Sequence, residues 1–375
     1  MDKYEIITVN SKRERKIFVR LPHLLYKNNP TYVPQLNASI NWLISSKNPF
    51  FEHSEVCLFL VKKNGNYVGR IASIYNTIHL KKYDDNSGFF GLFDSIDDEN
   101  VTNLLFKACE QWLKQKGVNR IIGPASLTTN DTCGFLIHGF DIPPFVAMPY
   151  NFDYYNNLCI RFGFEKYFDL NSYNVDGSAI YEKYKNVHDY SVNKLNKADI
   201  KIRNISKSNF IDDIKELNLI YNEVNEEHNA FMPLNEKEFF EMAKDLKLIT
   251  PLDLTLLAIK DNKIIAYLIA VPNMNEILIK INKGKLFPFG FIKLFAYRKK
   301  IKSARIMLLG VKAEYKNSGL DIVMYQKIKE ALNKRNIYNA EACYIFEHNH
   351  TMNSILEKIS EGLVRKFRMY TKEIN

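Results

Sequence analysis

Four residues late in the chain, Lys316-Asn317-Ser318-Gly319, stand between an apolar run and an amphipathic stretch. The run, Ile306-Met307-Leu308-Leu309-Gly310-Val311, is short and bounded by charge, as a buried strand should be. Beyond the loop, Ile322, Val323, Tyr325, Ile328 and Leu332 recur at helical spacing. A strand ending at Val311, a loop of small groups and a helix opening at Leu320-Asp321 aim several backbone N–H groups at one spot. The positive end of the helix dipole lies behind them, so the spot suits a phosphate. An ordinary strand–loop–helix connection is the competing reading, and the loop alone does not decide between them.

A second polar run, Thr128-Thr129-Asn130-Asp131-Thr132-Cys133, interrupts apolar sequence in the first half. Loops dense in Asn and Asp commonly serve only to turn the chain. Cys133 has no activating base near it in sequence, which argues against a nucleophile. His348 and His350 are the one pair at metal spacing, and a loop coincidence explains them as well; we expect no metal. The five cysteines are odd in number, scattered and never in C-x-x-C spacing. That favours free thiols in a reducing compartment over a disulfide frame or a zinc site. No secretory leader and no apolar window long enough to span a bilayer is visible, so the chain reads as cytoplasmic.

The net charge of +10 is local rather than general. Between Ile277 and Arg305 the charged residues are Lys280, Lys283, Lys285, Lys293, Arg298, Lys299, Lys300, Lys302 and Arg305, with no acid among them. Inside this stretch lies the aromatic run Leu286-Phe287-Pro288-Phe289-Gly290-Phe291-Ile292-Lys293-Leu294-Phe295-Ala296-Tyr297. It is too short to span, but it could lie in a headgroup region with Lys293, Arg298, Lys299 and Lys300 against anionic lipid. A lid over an acyl chain, or a core helix with a solvated basic end, are the alternatives. Nucleic acid ranks below lipid, because the aromatic residues adjoin Ile and Leu and are not interleaved with polar groups.

The elements that must carry these groups follow from periodicity. The first half reads as a strand at Tyr4–Val9, helices at Lys12–Tyr26 and Leu36–Ser45, and a hairpin from Val56–Lys62 to Tyr67–Asn76 through Asn64-Gly65. A strand at Gly88–Phe93, a helix over Asp97–Gly117, a strand at Arg120–Gly123, a short helix over Tyr154–Gly163 and a strand at Phe164–Val175 complete it. In the second half a strand at Ile200–Ile205 and helices over Asn209–Glu226 and Glu236–Leu246 precede a hairpin from Thr255–Ile259 to Ile264–Val271. The strand–loop–helix follows, then a strand at Glu341–Phe346, a helix at Thr351–Ser360 and a strand at Val364–Lys372. The same order occurs twice, which predicts an α/β protein of two tandem units, each a mixed twisted sheet flanked by helices. The composition change between Gly177 and Asp199 places the boundary, giving residues 1–177 and 178–375.

That order, with Gly310-Val311-Lys312-Ala313-Glu314-Tyr315-Lys316-Asn317-Ser318-Gly319-Leu320-Asp321 at its centre, resembles the GNAT acyl-CoA N-acyltransferase superfamily. Tyr344-Ile345-Phe346-Glu347-His348-Asn349-His350-Thr351-Met352-Asn353 looks like that family's next strand and helix. The strings Asn48-Pro49-Phe50-Phe51-Glu52-His53, Gly69-Arg70-Ile71-Ala72, Thr129-Asn130-Asp131-Thr132-Cys133-Gly134 and Met148-Pro149-Tyr150-Asn151 are similar to the tandem-GNAT bacterial ceramide synthase-like family. The chain departs from the common loop at Lys316, which keeps charge but loses the bidentate fork, and at Asp321, which would repel a nearby phosphate. Another departure is Glu226-Glu227-His228-Asn229-Ala230-Phe231, where the family usually has an aromatic-rich string.

The resemblance implies an N-acyltransferase that draws on acyl-CoA, acetyl-CoA or an acyl carrier protein and acylates an amine, with a lipid amine such as a sphingoid base first. A small-molecule or peptide N-acetyltransferase, and a non-catalytic acyl-CoA-binding, membrane-associated protein, are the alternatives. It implies donor contacts from Val311, Lys316, Asn317, Ser318, Gly319, Leu320, Asp321 and Asn353. Amide formation from a thioester needs a neutral amine and a proton for the leaving thiolate. Glu347 is the first candidate for the base, with Asn349 as a polar aid or a helix cap. Tyr370 is a candidate acid, or else a core tyrosine. Asn130 and Asp131 are candidates in the first unit, where acidic Ser95–Val101 offers no phosphate loop and the copy is expected to wall the acceptor site. Phe287, Phe289 and Phe291, with the lysines and arginine after them, are the expected contacts to membrane or acyl chain, from the inner face of the membrane.

Overall fold

A computed structural model describes residues 2–227, 230–286 and 290–374, side chains included save at 176–184, 282, 291 and 295. The first strands and helices are β1 (Tyr4–Thr8), α1 (Lys12–Leu25), α2 (Asn37–Leu43), β2 (Ser54–Lys63), β3 (Asn66–Asn76) and α3 (Thr77–Tyr83). There follow β4 (Ser87–Ser95), α4 (Glu99–Lys114), β5 (Arg120–Gly123), β6 (Phe135–His138), α5 (Tyr154–Phe162) and β7 (Glu165–Asp176). Next come α6 (Gly177–Lys197), β8 (Lys201–Asn204), α7 (Phe210–Asn225), α8 (Glu236–Ile249), β9 (Thr255–Lys260), β10 (Lys263–Pro272), α9 (Asn275–Leu278) and α10 (Gly290–Tyr297). The chain closes with β11 (Ser303–Val311), α11 (Leu320–Asn333), β12 (Asn339–Phe346), α12 (His350–Ile359) and β13 (Leu363–Glu373).

The order read from periodicity is present twice, and both hairpins turn as expected. Asn64 and Gly65 have φ of 51° and 82°, and Asp261 and Asn262 have 49° and 59°. Two left-handed residues in a row make the tight turn whose twist matches the strands it joins. The elements that periodicity did not suggest are α3, β6 and α9, which at seven, four and four residues are too short to display a repeat, and the 21-residue α6, which occupies the stretch read as the boundary between the units.

By packing, the chain forms two units: Met1–Leu170 with Asn275–Ala296 and Arg365–Asn375, and Asn171–Met274 with Tyr297–Val364. In the first, β1, β2, β3, β4 and β5 lie side by side, and β13 adds antiparallel to β5 from Tyr370↔Gly123 to Glu373↔Arg120. The helix α4 covers this sheet because Val101, Leu105, Cys109 and Leu113 fall on one stripe, each fully buried. Phe90, Phe93, Phe106, Phe135 and Tyr155 form its aromatic centre, with Phe93 and Phe106 stacked at 5.0 Å. Burial of each such ring stabilises the unit by roughly 1.5–3 kcal/mol.

In the second unit β8, β9, β10, β11 and β12 form the sheet in that spatial order, with α7 and α8 packed on it. Phe210, Ile214, Leu217 and Phe239 of the two helices meet Leu257 and Tyr267 of the strands. A helix pair on one sheet face is the usual way for such a sheet to bury its apolar side.

Candidate active site

In the second unit β11 and β12 pair in parallel only from Ser303↔Asn339 to Ile306↔Ala342. Past that point β11 runs on to Val311 and β12 to Phe346 without pairing to each other. Each arm is about 13–16 Å long at the usual rise of a strand. Ile306, Met307, Leu308 and Leu309 are half-buried, as are Tyr344, Ile345 and Phe346. Two apolar strand ends thus part from each other beyond Ile306 and Ala342.

The expected phosphate loop follows β11. Asn317 and Gly319 both take left-handed φ, 61° and 81°. Gly319 is the N-cap of α11 and supplies no side chain to cap it. Leu320 N–H donates to Ser318 Oγ at 3.3 Å and Ser318 N–H to Tyr315 O at 3.3 Å. The N–H groups of Asn317, Gly319, Asp321 and Ile322 make no hydrogen bond among the described residues. Free N–H groups at a helix start, with the positive end of the helix dipole behind them, favour an anion. Gly319 is required twice over: its φ disfavours any side chain, and a Cβ would stand 2.0 Å from Ser191 Oγ of α6. Leu320 is buried and anchors the helix start, whereas Lys316 is exposed at the loop's rim. Asp321 is half-buried in the first helical turn. One turn on, burial and then the charge of Asp321 raise the Tyr325 phenol above its ordinary range.

At the end of β12 the chain is held by Asn353 of α12. Its Nδ2 donates to Phe346 O and to Asn349 O, both at 2.9 Å. Its Oδ1 accepts from Tyr173 Oη at 2.9 Å and from Asn171 Nδ2 at 3.0 Å. All its capacity is used inside the protein, so Asn353 positions the Glu347–Asn349 turn. Asn349 is the N-cap of α12 and accepts from Met352 N–H at 3.1 Å. Glu347, carried on that fixed turn, keeps 21% of its side chain exposed, with His348 Nε2 3.8 Å from its carboxylate.

A buried polar group at the root of the split escaped sequence reasoning. Arg305 and Glu341 are strand partners across β11 and β12, only 5% and 1% exposed. Arg305 donates to Cys343 Sγ at 2.8 Å and lies 5.3 Å from the Tyr344 ring centre. Glu341 accepts from the Ser172 hydroxyl. Buried charges need such partners to be tolerated. The available signal was a charged residue inside each of two apolar strands. Tyr344 takes a left-handed φ of 60° two residues past the last pairing of β12 with β11.

The first-unit candidates lie elsewhere. Asp131 accepts from the N–H and hydroxyl of Thr128 at 3.3 and 3.1 Å, and Asn130 N–H donates to the same hydroxyl at 3.2 Å. Both residues therefore help to build their own turn, with Asn130 half-buried and Asp131 exposed. Tyr370 is buried in the first unit's core, and its hydroxyl donates to Asn156 Oδ1 at 2.8 Å. Phe287, Phe289 and the side chain of Phe291 lie outside the described residues, as do His228 and Asn229. Lys293, Arg298, Lys299 and Lys300 are exposed. No helix among the described residues is long and apolar enough to cross a membrane.

A scan against protein-family models finds no match. Among curated proteins, the chain is 34% identical to Protein YghO of Escherichia coli (strain K12) over 98% of this chain and 95% of that protein. It is 30% identical to the Bacterial ceramide synthase of Caulobacter vibrioides over 98% of this chain and 97% of that one. Among solved structures, a tandem GNAT protein from the clavulanic acid biosynthesis pathway superposes with a TM-score of 0.57 at 10% identity, covering 100% of this chain and 99% of that one. A GCN5-related N-acetyltransferase from Sphaerobacter thermophilus gives 0.54 at 10% identity, with 99% and 96% covered. At such identities the structures speak for the fold, and the fold is the one the split strands and the loop describe. The chain is an acyltransferase of the GNAT fold and belongs to the tandem-GNAT bacterial ceramide synthase-like family.

Proposed function

We propose that the protein transfers an acyl group from acyl-CoA or acyl carrier protein to a lipid amine, with a sphingoid base as the first acceptor to test. The observation that carries this reading is the open split between β11 and β12 next to an uncapped, glycine-led helix start. In this reading the free N–H groups of Asn317, Gly319, Asp321 and Ile322, with Lys316 at the rim, receive the donor's phosphates. Val311 and Ser318 flank the thioester arm, and Leu320 and Asn353 hold the two walls in place. A relative named for ceramide synthesis supports the choice of acceptor.

Glu347 is the proposed base. It takes one proton from the ammonium; the neutral amine then attacks the thioester carbonyl, the C–N bond forms, the C–S bond breaks, and the second proton lost from nitrogen passes through water to the leaving thiolate. Asn349 keeps the turn in register through its cap. The buried Tyr370, whose phenol is already committed to Asn156, is left out of the proton path. The exposed cations Lys293, Arg298, Lys299 and Lys300, with the phenylalanines before them, are proposed to meet an anionic membrane in which the acceptor is dissolved.

Incubation with sphinganine and radiolabelled acyl-CoA tests the reading. We expect a labelled amide that depends on both substrates. Intact CoA binding with no amide from any offered amine would remove the catalytic reading altogether.

A further inference from the structure

Helix α1 lines a cleft of about 250 Å³ with Lys12, Arg15, Lys16, Val19 and Arg20, and Asn41 of α2 forms the facing wall. The α1 positions follow i, i+3, i+4, i+7 and i+8, one continuous stripe of the helix. Four of the five are cations. Lys12, Lys16 and Arg20 are exposed, while Arg15 donates to Ile44 O. The only acid of α1, Glu14, is spent at the helix start. Its carboxylate accepts from Asn10 and Ser11 N–H at 3.0 and 2.9 Å, and these bonds hold its pKa below the ordinary range.

None of the four cations has a carboxylate within ion-pair distance among the described residues. Several other cations of the same unit are paired: Arg70 with Asp94, Lys116 with Glu55, Arg368 with Asp169 and Lys372 with Glu110. Cations at helical spacing with nothing between them repel, and a bound anion would relieve that repulsion.

A second basic run is tied to the wall of this cleft. Asn37 of α2 donates to Lys283 O at 2.9 Å, and a Cβ on Gly284 would stand 2.0 Å from Gln35 O. Lys280, Lys283, Lys285 and Lys293 therefore belong to the same unit as α1. Exposed apolar residues accompany both runs: Leu24 is 57% exposed and Ile292 64%. A soluble anion is best held by converging donors in an enclosed site. Exposed cations in a row beside protruding aliphatic residues match a flat, charged, partly apolar surface instead.

We propose that the α1 cleft binds the phosphate headgroup of an anionic lipid in a membrane, as a docking site distinct from the donor loop. The proposal stands whether or not the acyl transfer is right, because its test uses no thioester. Flotation of the full chain compares neutral phosphatidylcholine vesicles with vesicles that also contain phosphatidylglycerol. We expect binding only to the anionic set, and at least a tenfold fall in partition for Lys12→Gln/Lys16→Gln/Arg20→Gln. The control Lys62→Gln/Lys107→Gln/Lys116→Gln removes the same charge elsewhere in the unit and should change partition less than threefold. Equal losses in the two triple variants would reduce the effect to net charge and overturn the site. Absence of vesicle binding would overturn it too, as would binding of inorganic phosphate to the cleft without any preference for anionic vesicles. An unchanged melting temperature in both variants shows that the fold is kept.

Discussion

The two units open the same pair of strands and treat the opening differently. In the first, β4 and β5 pair in parallel from Ser87↔Arg120 to Phe89↔Ile122 and then part, as β11 and β12 do after Ile306↔Ala342. The first unit fills its own gap. Ala125 N–H donates to Phe90 O at 2.8 Å, and Gly91 leaves room where a Cβ would stand 1.7 Å from Ala125 O. As a result β4 is buried along its whole length, whereas β11 is half-exposed from Ile306 to Leu309. The helix that follows shows the same contrast. Asp98 caps α4, accepting from Asn100 N–H at 3.0 Å and pairing with Lys63 at 2.8 Å; α11 begins at a bare glycine. The first unit thus fills its split with its own backbone and closes the helix end with a carboxylate, while the strands that part in the second stay half-exposed.

Counting on from the last paired residues sharpens the contrast. Five residues after Ile122 stands Leu127, 2% exposed; five after Ala342 stands Glu347. Glu347→Gln should lower kcat by about 10²–10⁴ with the KM for acyl-CoA unchanged, since a general base acts on the rate and not on donor binding. Steady-state kinetics with saturating amine checks this, and a change in KM alone would make Glu347 a binding residue.

Two residues past the pairing, the equivalent positions are Gly91 and Leu308. Gly91→Ala forces a methyl group into a backbone carbonyl, which only a shift of the plug can relieve. We expect a loss of about 3 kcal/mol or more, read as a lowered first transition on melting. Leu308→Ala, on a half-exposed arm, should cost less and weaken long-chain donors instead. If Gly91→Ala melts like the parent, the plug is not the rigid element described above.

The first unit also carries the acid-sensitive groups. Burial holds His23 neutral, with a pKa pushed down to about 4 from an ordinary 6.5, and burial likewise lowers His79. Above pH 6.5 neither the folded nor the unfolded His23 is charged, and nothing is lost. Between 6.5 and about 4 the unfolded chain binds a proton that the folded one refuses, so stability falls with pH, by about 3 kcal/mol at most. The difference between parent and His23→Gln in melting temperature across that window isolates the effect, and parallel curves would contradict it.

Much of this was readable from one-dimensional pattern. The repeated order, both hairpins and the loop at Lys316–Gly319 rest on local spacing and turn chemistry, which act over a few residues. What spacing cannot show is pairing at long range. Nothing in the string around Tyr370 says that β13 pairs with β5, or that its hydroxyl meets Asn156. Nor does the sequence of residues 124–134 reveal that it fills a gap beside Gly91. Arg305 and Glu341 lie far apart in sequence, and only the strand register sets them opposite each other. The positioning role of Asn353 likewise shows only where β7 and the Phe346–Asn349 turn meet at its side-chain amide.

The two helix starts give a smaller pair of expectations. Lys316→Glu reverses the exposed positive charge at the loop's rim and should weaken a CoA analogue about tenfold by calorimetry. Asp98→Ala removes the cap of α4, costs about 1 kcal/mol of stability, and should leave that affinity alone. Equal affinities for parent and Lys316→Glu would move the phosphate site away from this loop.

Asp321 is the residue that sets this loop apart from an ordinary phosphate cradle. In the first turn of α11 its charge favours the helix dipole by about 0.3–1 kcal/mol, and the same charge opposes an anion at the helix end. The two effects act on different measurements, so Asp321→Asn separates them. Stability should fall by a few tenths of a kcal/mol, and CoA-analogue affinity should rise about two- to fivefold. The rise should shrink as salt is added, because screening weakens a repulsion that works through solvent. A fall in affinity would mean instead that the carboxylate contacts the donor, through a hydroxyl or an amide N–H that an asparagine meets less well. In that case the second unit would hold its donor by a contact for which the capped α4 of the first has no counterpart.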